Sequence, residues 1–295
     1  MKYKNPITTL VLIIFILATM ASSYGIFSRD ISNNKEFQAI SGQSVKLYAK
    51  GLYKNDSVSA GSQAVGQDIV TLIIGLPLLL ISLFVYRKNL LKGKLLLAGT
   101  LGYFLYTYIS YSFLVMYNSF FLIYVMLMSL CFYAFTLTMM SFNLETISSC
   151  FSKKLPVKLI GGVLIFMAIA LCMMWLGIIL PVLKQGIFPK ILDNYSTLTI
   201  QAMDLGFVVP TTILAGILLI KRTPFGYLLA SVMIIKEVTL VTAIIAMIVG
   251  QIYSGVYVPL VQILMFSIFN LVLIYFVILI MRNINENIFK ESKEI

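Results

Sequence analysis

The chain has 295 residues, 60% of them hydrophobic and 11% charged, with a mean hydropathy of +0.98. A soluble domain carries about 25% charged residues, so the composition excludes an ordinary soluble protein and describes an all-α, polytopic transmembrane helix bundle. Histidine is absent, which removes histidine-ligated zinc, axial-histidine haem and Ser-His-Asp catalysis together. The net charge of +11 sits in clusters at the ends of apolar runs, as membrane orientation requires, and not as the basic patch of a nucleic-acid binder.

A spanning helix needs about 20 apolar residues. The first run, 7–27, lies in "MKYKNPITTLVLIIFILATMASSYG". Its basic start and small residues also suit a signal peptide cleaved after Ala21 or Ser23, leaving seven spans. Its length favours an uncleaved span, for eight in all. Residues 28–67 form the one sizeable aqueous segment. It is too small for a core of its own and rich in turn formers, so it is expected to pack over the mouth of the bundle. Asn55-Asp56-Ser57 and Asn194-Tyr195-Ser196 match the glycosylation pattern, as ordinary loop asparagines also do.

Residues 68–295 are expected to form a seven-span bundle ending in a short tail. Its apolar runs are 69–86, 95–116, 120–140, 159–183, 205–220, 225–250 and 256–281. The runs at 69 and 205 are short and are expected to extend upstream through polar turns. Basic loops alternate with uncharged ones: "YRKNLLKGK" falls on one side and "QIYSGVYVP" on the other. The positive-inside rule then places both termini, with Lys2 and Lys293, in the cytoplasm of a cell-membrane protein. Cys131 and Cys172 lie in apolar runs and read as core filler. Cys150, in a basic loop, is open to palmitoylation.

The chain shows a possible doubling. "QAVGQDIVTLIIGLPLLLISLFVYRK" and "QAMDLGFVVPTTILAGILLIKR" each open with Gln-Ala and an Asp, meet a proline and end in two basic residues. "LLLAGTLGYFLYT" aligns with "YLLASVMIIKEVT". Two parallel four-span halves would produce this pattern, as would chance among apolar segments. Gly75, Pro77 and Pro210 would then be matched helix interruptions, which point to a transporter site; a plain proline kink is the alternative.

Lys236 and Glu237 stand in the middle of the seventh run. Lys236 is 12 residues past Pro224, about 18 Å along a helix, where a lone charge costs at least ~2.5–3.5 kcal/mol. Thr239, Ala243, Ala246 and Gly250 follow it on one helical stripe of small residues, which turns Lys236 into the bundle. Asp204, Gln201, Asp68, Tyr103, Tyr106 and Asn270 occupy polar stripes reaching similar depths. Together with Lys236 and Glu237 they are the candidate lining of an interior polar pocket. The bland alternative is a pair that neutralises itself and fixes helix register.

Transport of a small polar or charged solute is the leading functional reading. A sensor or accessory subunit acting through a partner is the second. An intramembrane enzyme is chemically open through Lys236, but no motif supports it. The sequence implies no cofactor, no metal and no nucleic acid. The partners it points to are the lipid bilayer and a small polar solute, and it identifies no protein partner.

Overall fold

A computed structural model describes residues 3–33 and 35–291, with side chains to Phe289; Lys2 and Lys293 lie outside them. After α1 (Lys4–Phe27), a small antiparallel hairpin of β1 (Glu36–Gln38) and β2 (Ser44–Lys46) sets Phe37 opposite Val45. The helices then follow as α2 (Val58–Val70), α3 (Leu76–Arg87), α4 (Leu91–Phe113), α5 (Phe121–Met140), one-turn α6 (Leu144–Ile147) and α7 (Val157–Gln185). They continue as α8 (Thr199–Met203), α9 (Val209–Ile220), α10 (Pro224–Tyr253), α11 (Leu260–Arg282) and α12 (Glu286–Glu291).

Seven helices among the described residues are long and apolar enough to cross a bilayer: α1, α2 joined to α3, α5, α7, α8 joined to α9, α10 and α11. This fits a multi-pass membrane protein. Helix α4 is also 23 residues long and packs against α3, α5 and α10. Its Tyr103, Thr107 and Tyr111 are buried, so its polar face is turned to protein and not to lipid.

The joined helices explain the two short apolar runs. α2 and α3 are continuous through a π-helical turn, Thr71–Gly75, and α8 and α9 through another, Asp204–Val208. Each turn begins six residues before a proline (71 to 77, 204 to 210). Proline lacks an N–H and its ring pushes against the carbonyl four residues back. The wider turn accommodates this: Leu76 N–H donates to the Thr71 carbonyl and Val209 N–H to that of Asp204, the five-residue spacing of a π bulge. In this register the counterpart of Asp204 is Thr71, whereas aligning the Gln-Ala openings would set it opposite Gly66.

Residues 58–67, expected in the aqueous segment, are instead the first turns of α2, capped by Ser57 accepting from Ala60 N–H at 3.1 Å. Their small side chains permit the helix. A Cβ on Gly66 would stand 2.6 Å from the Ala246 carbonyl oxygen, and one on Gly250 2.6 Å from that of Ser62. The small-residue stripe of α10 is therefore its contact with α2. Gly66→Val is expected to destabilise the protein by about 1–3 kcal/mol through overpacking. Melting in detergent checks this, and an unchanged midpoint would deny the close approach.

α10 is the hub, packing on α2, α4, α9 and α11. α1 buries Ile7, Val11, Ile14 and Ala18 completely and closes against α5. At the face where the basic turns gather, Phe151 stacks on Tyr227 at 4.7 Å. There Glu286 accepts from Leu91 N–H (2.8 Å) and Lys92 N–H (2.9 Å), capping α4. Cys150 is fully buried there, burial raises its thiol pKa, and it is out of reach of an acyl donor. On the other side of the bundle, α7 packs on α9 and α11 on α10, but α7 and α11 do not pack along each other. The space between them is the mouth and flank of a cavity.

Candidate functional site

The cavity has a volume of about 570 Å³, within the range of small-molecule sites. It starts at the face carrying residues 28–57, beside Asp56 and Tyr195, and runs down to Glu237 and Leu273. Beyond them, toward the basic turns, the packing is a continuous apolar core that includes Leu95, Ala98, Phe276 and Ile280. One wall is apolar, built from α7 (Met167, Leu171, Met174) and α11 (Met265, Phe266, Phe269). The opposite wall is polar, with Gln67 from α2, Tyr106 and Thr107 from α4, Gln201 from α8 and Glu237 from α10.

The charged pair lies at the base of the polar wall. Lys236 Nζ donates to Glu237 Oε1 at 2.7 Å, with the two side chains 7% and 15% exposed. The ammonium also sits 4.5 Å from the centroid of the Tyr106 ring, a cation–π contact. Tyr106 in turn donates its hydroxyl to Asp204 Oδ1 at 2.8 Å, and Trp175 donates its indole N–H to Oδ2 at 2.9 Å. Asp204 is thus the first residue of a π-helical turn, held by two aromatic donors, with the Tyr106 ring standing between it and Lys236. Only Glu237, Tyr106, Trp175 and Asp204 of this chain of contacts line the cavity; Lys236 is behind the wall.

The chain matches no known protein family, no curated protein and no solved structure.

The structure brings Lys236, Glu237, Tyr106, Asp204 and Gln201 to the cavity or its base, and places the other candidates elsewhere. Asp68 is sealed on the α1 side. It accepts from Tyr53 (2.5 Å) and Tyr111 (3.1 Å), and a Cβ on Gly25 of α1 would overlap its Oδ2. Tyr103 is fully buried, bonded to Gln67 Nε2 at 2.9 Å and to Thr71 Oγ1 at 2.8 Å. Gly75 lies under Tyr103, where a Cβ would stand 3.1 Å from the ring. Asn270 pairs with Thr242, donating from Nδ2 at 3.1 Å. Pro77 and Pro210 each sit in the first turn after a π-helical segment.

Several residues of the site carried no signal in the sequence. Trp175 is the sole tryptophan in an otherwise apolar run, and only the approach of α7 to α9 gives it Asp204. Asp56 was visible only as part of a glycosylation triplet. It is 2% exposed, lines the cavity, and accepts on Oδ1 from Met116 N–H (3.0 Å) and Tyr195 OH (2.8 Å). Asn194, the other triplet asparagine, is buried and donates to the Asn55 carbonyl at 3.0 Å.

Proposed function

We propose that the protein is a membrane carrier for a small polar or charged solute, which enters the cavity between α7, α11 and the polar wall. The observation behind this reading is the position of Asp204. It is a buried carboxylate that opens a π-helical turn within the continuous α8–α9 helix, beside a cavity that is open toward one face of the bundle and closed by apolar packing toward the other. Helix interruptions at membrane depth are tolerated where they line a cavity, and paired interruptions are a recurring feature of carriers. The π-helical turns are places where α2–α3 and α8–α9 could change their bend as the cavity closes on one side and opens on the other.

The same geometry admits a sensor whose ligand enters from the face of residues 28–57 only. The two readings part on access. In a protein lacking Cys131, Cys150 and Cys172, a single cysteine at Ile244 or Ala168 in the cavity wall is exposed to a membrane-impermeant maleimide. Right-side-out and inside-out vesicles are compared. A carrier is expected to label from both sides, and labelling from one side alone would replace the carrier with the sensor.

In our reading α4 is the eighth span, the face of residues 28–57 is extracytoplasmic and both termini are cytoplasmic, because the basic turns gather at the opposite face. Reporter fusions after Lys94, Lys158 and Arg222 are expected to read cytoplasmic and one at Asp193 external. A cytoplasmic reading at Asp193 would overturn the arrangement.

A further inference from the structure

We propose that the cavity is a site for an organic cation, a positively charged head on an apolar body, with the charge held among Asp56, Asp204 and Glu237. The proposal rests on the reading of the cavity as a solute site and names the chemical class of that solute.

Charge placement is the first support. Four of the chain's 11 carboxylates, Asp56, Asp193, Asp204 and Glu237, line the cavity, against one of its 22 lysines and arginines, Lys190. An acidic cavity thus lies in a strongly basic protein. The ammonium of Lys236, behind the wall, is already committed to Glu237. Among the described residues that is the sole ion pair, so Asp204 is held by neutral donors alone.

The second support is independent of charge counting. Asp56 Oδ2 is buried, belongs to a cavity-lining side chain and has no hydrogen-bond partner. An unpartnered buried carboxylate oxygen is expensive, and a cationic donor in the cavity would satisfy it. Thr212 Oγ1 and one end of the Gln67 amide, both in the cavity wall, are also without partners.

The third support concerns the body of the ligand. Met167, Leu171, Met174, Met265, Phe266 and Phe269 face the carboxylates across the cavity. Thioethers and aromatic rings adapt to varied apolar shapes, and aromatic faces attract cations that have shed water. A small inorganic cation fits less well, because no group of three metal-ligating acids or cysteines converges among the described residues. An anion would meet four lining carboxylates against one lysine.

Trp175 makes the test direct. It is the only tryptophan in the chain and part of the cavity wall, so indole emission, excited to the red of the absorption of the 17 tyrosines, reports on this site alone. The full-length protein in detergent is titrated at about pH 8, above the value at which Asp56 releases its proton, with tetraphenylphosphonium and, separately, with tetraphenylborate, which has the same shape and the opposite charge. The expected result is a saturable change with the phosphonium and none with the borate. Asp56→Asn, which leaves the Trp175–Asp204 contact in place, is expected to raise the half-saturating concentration about tenfold, because a neutral amide replaces a carboxylate that attracts the phosphonium charge. Asp204→Asn should do the same, followed by ligand-induced thermal stabilisation because the substitution alters the indole's own acceptor. Equal saturation by the borate, or unchanged half-saturation in both variants, would overturn the proposal.

Repeating the titration with phosphatidylethanolamine in the micelles separates two sources of the ammonium. Displacement of the probe assigns it to a lipid headgroup, and no displacement assigns it to a soluble amine; either outcome keeps the charge rule. Saturable phosphonium binding with one-sided labelling of Ile244→Cys would remove the carrier and keep the cation site. Two-sided labelling with no charge preference would do the reverse.

Discussion

Lys236→Met is expected to destabilise the protein by about 3–5 kcal/mol, the effect of breaking a buried ion pair by removing one partner. The substitution leaves the Glu237 carboxylate, 15% exposed, without its only close cation. It also removes the ammonium from the Tyr106 face, whose hydroxyl holds Asp204. Lys236→Met combined with Glu237→Gln should recover most of the loss, because no isolated charge then remains. A double-mutant cycle in detergent measures the coupling. It should be large for Glu237 and smaller for Asp204, which Lys236 meets only across the Tyr106 ring. It should fall within about 0.5 kcal/mol of zero for Asp68, as for sites that share no partner. A coupling to Asp68 as large as that to Glu237 would mean that the two polar clusters are one.

The stability of the folded chain is expected to fall as pH rises from about 4 to about 7, and Asp56→Asn should remove part of that fall. Burial holds the Asp56 carboxyl at about 7 against its ordinary 3.8, although hydrogen bonds from Met116 N–H and the Tyr195 hydroxyl pull it down. Between those values the folded chain keeps a proton that the unfolded chain releases. The stabilisation linked to that proton is fully present below the unfolded value and is lost as pH climbs through the folded one. Three units correspond to at most about 4 kcal/mol. Asp193, Lys190, Tyr111 and Tyr195 share the cavity wall with Asp56, and Tyr124 of α5 interacts with it electrostatically. All are present in both proteins, so the difference between the two melting curves isolates Asp56. Parallel curves would show that it does not titrate in this window.

The two clusters also show why a polar pocket could be drawn from the sequence with the wrong membership. Asp68 and Asp204 open similar segments at similar depth, and each shares a stripe with small residues. In the folded chain the first meets tyrosines at a junction with α1 and the second meets Trp175 of α7. Depth along a helix is a count of residues at 1.5 Å each, so both levels could be read off. Azimuth is different: each residue turns a side chain by about 100°, and the sequence does not say which neighbour occupies that direction.

What the residues determined alone was whatever a single helix decides for itself. The lengths of apolar runs set where helices lie. Basic residues marked one common end of them, and the Thr239–Ala243–Ala246–Gly250 stripe marked the face of α10 that lets α2 approach. Pro77 and Pro210 marked where two helices had to widen. Only the tertiary structure decided what lies between helices. It set α7 apart from α11, put the sole tryptophan on Asp204, left Lys236 behind the Tyr106 ring and brought Asp56 from a loop into the cavity wall. The physical reason is that local pattern fixes how far along and on which side of its own helix a group sits, whereas contacts depend on how separate helices are rotated and spaced, and the packing of the whole bundle sets that.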